Sequence, residues 1–208
     1  DTFTVTPTNT APDVVPTGTT YTWTVTTPAG ITGASNQVTA QTSISQTLNN
    51  TTSSSINVVY TVTASFGTAP TVCTDTFIIT VTVNPNPSIA NKTQTICSGT
   101  TFTVTPSNTA PDVVPTGTTY TWSVAAPAGI TGASNQATAQ TSISQTLTNT
   151  TSTSLSAVYT VTATFGTAPN SCSSSFNITV TVIPNPNITD VTQTICSTGT
   201  FTVTPTNT

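Results

Sequence analysis

The chain has 208 residues, of which only 3% are charged: five aspartates and Lys92, with no glutamate, arginine or histidine. An ordinary soluble domain carries about 25% charged residues, and one lysine cannot neutralise a phosphate backbone, so nucleic acid is excluded as a partner. The net charge of −4 likewise offers nothing to an anionic membrane surface, and no apolar run approaches the roughly 18 residues that a spanning helix needs.

Taken in chain order, the first pattern is Phe3-Thr-Val-Thr-Pro-Thr-Asn-Thr10. It returns as Phe102-Thr-Val-Thr-Pro-Ser-Asn-Thr109 and again as Phe201-Thr-Val-Thr-Pro-Thr-Asn-Thr208, with a period of 99 residues each time. About three quarters of the positions are identical between the first two copies. Such a period is too long for a solenoid rung and large enough for a module that folds alone. Two proline-rich stretches, Asn84-Pro-Asn-Pro87 and Pro184-Asn-Pro186, set the phase. Closely spaced prolines cannot join a central strand and act as semi-rigid spacers. The chain therefore divides into an N-terminally incomplete repeat over 1–86, a complete repeat over 87–185 and the start of a third over 186–208. It begins in mid-pattern and reads as a piece of a longer protein.

The complete repeat reads as strands throughout. Thr93 to Ile96 is a short first strand. Thr101 to Pro106 follows, with Phe102 and Val104 on one face and threonines on the other. Tyr120, Trp122 and Val124 repeat that alternation, and Ile143 with Leu147 marks a weaker strand. Tyr159, Val161, Ala163 and Phe165 share one face, with Thr160, Thr162 and Thr164 on the opposite one. Phe176, Ile178, Val180 and Val182 form the last strand. Alternation with a period of two predicts half-buried antiparallel sheets, and no window carries a helical period. About 60 threonines, β-branched and polar, suit strands and keep the outer faces wet. Six or seven short strands in each repeat, separated by Gly, Pro and Asn, predict an all-β fold of tandem Ig-like antiparallel β-sandwich modules. Trp122 falls on the third strand and Tyr159 on the sixth, the place of a corner tyrosine. Core packing is the expected role of both, with an exposed ligand platform as the other reading. A disordered, O-glycosylated stalk is the other outcome of such a composition, and the regular apolar alternation argues against it.

The run Thr93-Gln-Thr-Ile-Cys-Ser-Gly99 followed by Thr101-Phe-Thr-Val-Thr-Pro106 resembles the PKD-like repeats of Bacteroidota surface proteins. So do Tyr120-Thr-Trp122, Ile130-Thr-Gly132, Gln140-Thr-Ser-Ile-Ser-Gln-Thr-Leu147 and the closing run Ile178-Thr-Val-Thr-Val182. The resemblance covers the whole chain. It implies a long cell-surface protein similar to the gliding-motility adhesin of flavobacteria, exported by type IX secretion. The acidic Gly-Asp-Gly turn typical of PKD domains is absent: Ser123-Val-Ala-Ala126 follows Trp122.

Catalytic chemistry finds little support. Without histidine there is no Ser-His-Asp triad and no Cys-His pair. Asp13 and Asp112 occupy equivalent loops, and one carboxylate in each cannot supply the pair a glycosidase needs. Clustered zinc ligands and dense acidic calcium loops are both missing, so neither a metal nor a cofactor is expected. Lys92 has Val191 as its counterpart, which excludes an isopeptide cross-link in every repeat.

The four cysteines suggest an oxidising, extracellular setting and allow three pairings. Cys97 and Cys172 share one repeat and are expected to form a structural disulfide, provided the first strand is short or kinked. Cys73 with Cys97, across a hairpin centred on Pro85, is the competing pair. Sequons at Asn49, Asn50, Asn91, Asn149, Asn177 and Asn187 permit glycosylation without indicating it. The functional expectation is a spacer at the bacterial cell surface. Its partners would be neighbouring repeats of its own chain and, in a filament, other copies. Repeats that themselves bind glycans or surfaces through avidity are the alternative, and a flat Thr-x-Thr face suited to ice is a minor one.

Overall fold

The computed structural model describes residues 1–205. All its regular elements are strands. In the first repeat they are β1 (Thr2–Val5), β2 (Thr20–Val25), β3 (Ile31–Thr32), β4 (Gln37–Gln41), β5 (Ile44–Thr47), β6 (Asn49–Asn50), β7 (Ile56–Thr68) and β8 (Thr71–Val83). In the second they are β9 (Lys92–Cys97), β10 (Thr100–Val104), β11 (Thr119–Ala125), β12 (Ile130–Thr131), β13 (Gln136–Gln140), β14 (Ile143–Asn149), β15 (Leu155–Phe165) and β16 (Cys172–Ile183).

The second repeat is a two-sheet sandwich. One sheet has the order β13-β11-β15-β16-β9 and the other β10-β14-β12. Residues on one face of every long strand are buried: Tyr120 and Trp122, Ile143 and Leu147, Tyr159 and Val161, Ile178, Val180 and Val182. The alternating pattern put them there, because a strand sends successive side chains to opposite faces. The first repeat repeats this plan with β4-β2-β7-β8 facing the short pairs β1-β5 and β3-β6, around a core of Tyr21, Trp23, Ile44, Leu48, Val58, Tyr60 and Val62.

Specific polar bonds hold the two sheets in register. Each tryptophan is buried and donates its indole N–H to a backbone carbonyl, Trp23 to Ser35 and Trp122 to Ser134, both at 3.1 Å. The Tyr159 hydroxyl donates to Gln145 Oε1 at 2.8 Å, and Tyr60 does the same to Gln46 at 2.9 Å. Tyr159 is thus a core residue bonded to a side chain of the facing sheet, unlike a corner tyrosine, whose hydroxyl bonds the backbone. Gly132 has φ +87° and lies so close to the opposing strand that a Cβ would run into the Thr146 carbonyl. Only glycine fits such a position, which accounts for the Ile-Thr-Gly run in both repeats.

The strands expected of the complete repeat all form. The structure adds two that the alternation did not reveal, β12 and β13. Counting both makes Tyr159 part of the seventh strand of its repeat rather than the sixth. β13 is built of Gln, Ala and Thr, with its three central residues exposed, so it carries no apolar period to read. No strand forms within 186–205, although the sequence there repeats β9 and β10. An isolated strand has no ladder to join and no face to bury. Ile195 and Phe201 are 48% and 64% exposed there, whereas Phe102, the counterpart of Phe201, is 1% exposed.

Backbone contacts gather into two compact units that cut across the repeats. The first comprises Asp1–Ile89 with Pro106–Thr118 and Ala163–Ser174; the second comprises Ala90–Thr105, Thr119–Thr162 and Ser175–Thr208. Within the first unit the proline-rich stretch is held down. Pro85 and Pro87 are buried, and Ser88 and Val113 exchange both backbone hydrogen bonds, at 2.9 and 2.7 Å.

Candidate functional site

All four cysteines are free thiols, with Cys172 half-buried and the others exposed. β16 pairs with β9 in parallel, and Cys97 lies opposite Ile183, the last residue of β16. Cys172 is the first residue of that strand. Eleven residues at about 3.3 Å each put some 36 Å between those two points, and a disulfide needs Cα atoms within about 7 Å. The structure therefore does not bring Cys97 and Cys172 together. β9 is short, with six residues, yet it ends beside Ile183, at the end of β16 away from Cys172, so its shortness does not bring the two thiols together. Cys73 is paired with Phe66 in the β7-β8 hairpin, at the end of β8 away from the proline stretch, so no hairpin centred on Pro85 brings it to Cys97.

The aspartates are loop residues. Asp13 is exposed, whereas Asp112 is 8% exposed in a loop that Val113 bridges to Ser88. Asp13 and Asp75 line one cleft of about 710 Å³ with Val15, Tyr21, Phe66 and Phe77. The counterpart of Asp75 is Ser174, so this carboxylate pair is not a property of the repeat. Among the described residues no three His, Cys, Asp or Glu side chains gather where they could hold a metal ion. No helix is long and apolar enough to cross a membrane.

All six Trp and Tyr side chains are buried: Tyr21, Trp23, Tyr60, Tyr120, Trp122 and Tyr159. The four tyrosines pack on phenylalanines, with ring centroids 5.0 Å apart for Phe102 and Tyr159 and 6.4 Å for Tyr120 and Phe176. Burial raises the Tyr60 and Tyr21 hydroxyl pKa values and pushes Tyr159 up to about 12 from an ordinary 10.0. An unfolded tyrosine ionises near 10 while buried Tyr159 stays protonated, so above that pH the unfolded chain binds fewer protons and is favoured. The melting temperature is expected to fall steadily between pH 10 and 12, and the Tyr159→Phe variant to fall less over that window. Thermal melts followed by circular dichroism check this.

Two of the sequons are structural. Asn50 and Asn149 are buried and commit both amide hydrogens. Asn149 Nδ2 donates to the Thr153 and Val182 carbonyls, each at 2.8 Å, while its Oδ1 accepts from Thr151 N and Oγ1 at 2.9 and 2.8 Å. Asn50 reproduces the arrangement with Ser54, Val83 and Thr52. The sequence showed these residues only as glycosylation signals. Their recurrence as Asn-Thr-Thr-Ser at the same phase was the one hint of a clamp.

No curated protein matches the chain. The sequence model of one family, the PKD-like domain, matches residues 4–87 and 94–186, which are the two sandwiches with their strands, buried aromatics and asparagine clamps. The chain belongs to the PKD-like domain family, as a tandem array of Ig-like β-sandwich modules.

Proposed function

We propose that these modules are the spacer repeats of a large secreted bacterial surface adhesin or filament that serves attachment or gliding, holding a distant binding tip away from the cell. The observation that carries this reading is the burial of every Trp and Tyr. Aromatic side chains are what a glycan platform would display, and here they all hold the two sheets together. The outer faces are left to threonine ladders such as Thr2 with Thr47 and Thr101 with Thr146, hydrogen-bonded to each other at 2.6 Å. The pinned proline stretch supports the same reading, since a spacer transmits force better through a held junction than through a loose tether.

Arrays of two, four and eight repeats, measured by small-angle scattering, test it. Each added repeat is expected to lengthen the particle by roughly 35–40 Å, from strand rise plus linker. A length that stops growing would remove the spacer role. Binding to a glycan array that strengthens with repeat number would favour the alternative, modules that grip a surface by avidity.

A further inference from the structure

β8 and β16 are the same strand of successive repeats, yet their outer edges differ. β16 carries β9 alongside it in parallel, whereas β8 ends its sheet and, among the described residues, has β7 as its only neighbour. The consequence shows in burial. Phe176, Ile178, Val180 and Val182 are 3% exposed or less, while their counterparts Phe77, Ile79, Val81 and Val83 are only partly buried. Beside this open edge lies a cleft of about 500 Å³ whose lining includes Asp1, Val81, Val83, Asn84 and Cys172. Every residue of that lining belongs to the first compact unit.

The repeat identifies what fits there. By the 99-residue period, Asp1 corresponds to Thr100 and Asn84 to Ile183. A strand with the sequence of Lys92–Cys97, laid on β8 as β9 is laid on β16, would end with its cysteine opposite Asn84, just as Cys97 is opposite Ile183. Asn84 Nδ2 donates to the Asn170 carbonyl at 3.1 Å, two residues before Cys172, and both Asn84 and Cys172 line the cleft. The cysteine that ends the first strand of one module would therefore meet the cysteine that opens the last strand of the next.

We propose that consecutive modules of the array are joined by this disulfide, from the first-strand cysteine of one repeat to the last-strand cysteine of the following one. It rests on the spacer reading only for the existence of an array. The two cysteines of each repeat sit at opposite ends of the same strand pair, so each serves a different junction. The bond forms by exchange with a small disulfide oxidant such as oxidised glutathione. One thiolate attacks it and releases a glutathione thiolate; the second protein thiolate then displaces the other. Two protein thiols lose two electrons and the oxidant becomes two thiols. Under tension such staples bypass most of the chain. Load leaves one bridge at a cysteine like Cys172 and reaches the next at a cysteine like Cys196, 24 residues on, so the sandwiches between are shielded from unravelling.

The test fuses the sequence of Ser88–Gly99 directly ahead of Asp1 of the full chain, which restores the repeat spacing and adds one cysteine. After incubation with oxidised and reduced glutathione, cysteine pairs are mapped by mass spectrometry and β8 amides are followed by hydrogen exchange. The expected result is a link between the added cysteine and Cys172, with Thr80–Asn84 more protected than in the unfused chain. The Cys172→Ser variant should keep that protection and leave the added thiol free. A link from the added cysteine to Cys73, a thiol left free beside a docked strand, or unchanged exchange along β8 would each overturn the proposal. Length that still grew with repeat number without the link would leave the spacer function standing and remove only the staple.

Discussion

Replacing Tyr159 by alanine is expected to cost the second module about 3–5 kcal/mol, the range for removing a large aromatic from a packed core. Tyr159 is fully buried, its ring lies against Phe102 at 5.0 Å, and its hydroxyl reaches Gln145 in the facing sheet. Small domains hold only about 5–15 kcal/mol in total, so a loss of that size takes most of the margin. Tyr159→Phe keeps the ring and deletes one hydrogen bond, for about 1 kcal/mol. In a module of about 100 residues 1 kcal/mol moves the melting point by roughly 4–8 °C, so the two variants are expected to separate by more than 10 °C. Tyr60 occupies the same place in the first repeat, which makes that repeat an internal reference. Residue-resolved hydrogen exchange should show loss of protection in β14 to β16 before any change in β7. Equal melting points for the alanine and phenylalanine variants would show that the ring is not what holds the sheets together.

Asn149→Ala is the second large effect. The side chain ties the end of β14 to the end of β16, through the Val182 carbonyl, and to the following loop, through Thr151 and Thr153. Ser98 adds to the knot: its hydroxyl accepts from Asn149 N at 2.9 Å and bonds the Asn149 carbonyl at 3.2 Å. Alanine takes the amide away from the Thr151 N–H and the Val182 carbonyl, each worth about 1–3 kcal/mol, while the Thr153 carbonyl keeps the Thr151 hydroxyl at 3.0 Å. The expected loss is about 3 kcal/mol, read as a lower denaturant midpoint with an unchanged slope. Ser98→Ala removes the two bonds to the Asn149 backbone and spares its side chain, and is expected to cost about 1 kcal/mol. If Asn149→Ala were no worse than Ser98→Ala, the clamp would be ornamental and the loop would be held by backbone bonds alone.

The residues that best announced the fold did so through local rules. Alternating Phe, Tyr, Val and Ile against threonine marks a strand wherever it occurs, because side-chain direction in a strand is fixed by position alone. The 99-residue period and the proline stretches are equally local, and so the sequence by itself determined an all-β tandem array with buried aromatics and very little to support catalysis. Strands such as β12 and β13 escaped because they are short or polar and exist only through the neighbours they pair with. The cysteines escaped for a stronger reason. Which two thiols meet depends on how β9 lies along β16, and a parallel register places Cys97 and Cys172 at opposite ends of one strand pair. The asparagine clamp belongs to the same class: a buried amide has value only once two carbonyls and a loop converge on it. Direction along a strand was written in the residues; the partner across it was decided by tertiary structure, since pairing depends on segments far apart in the chain.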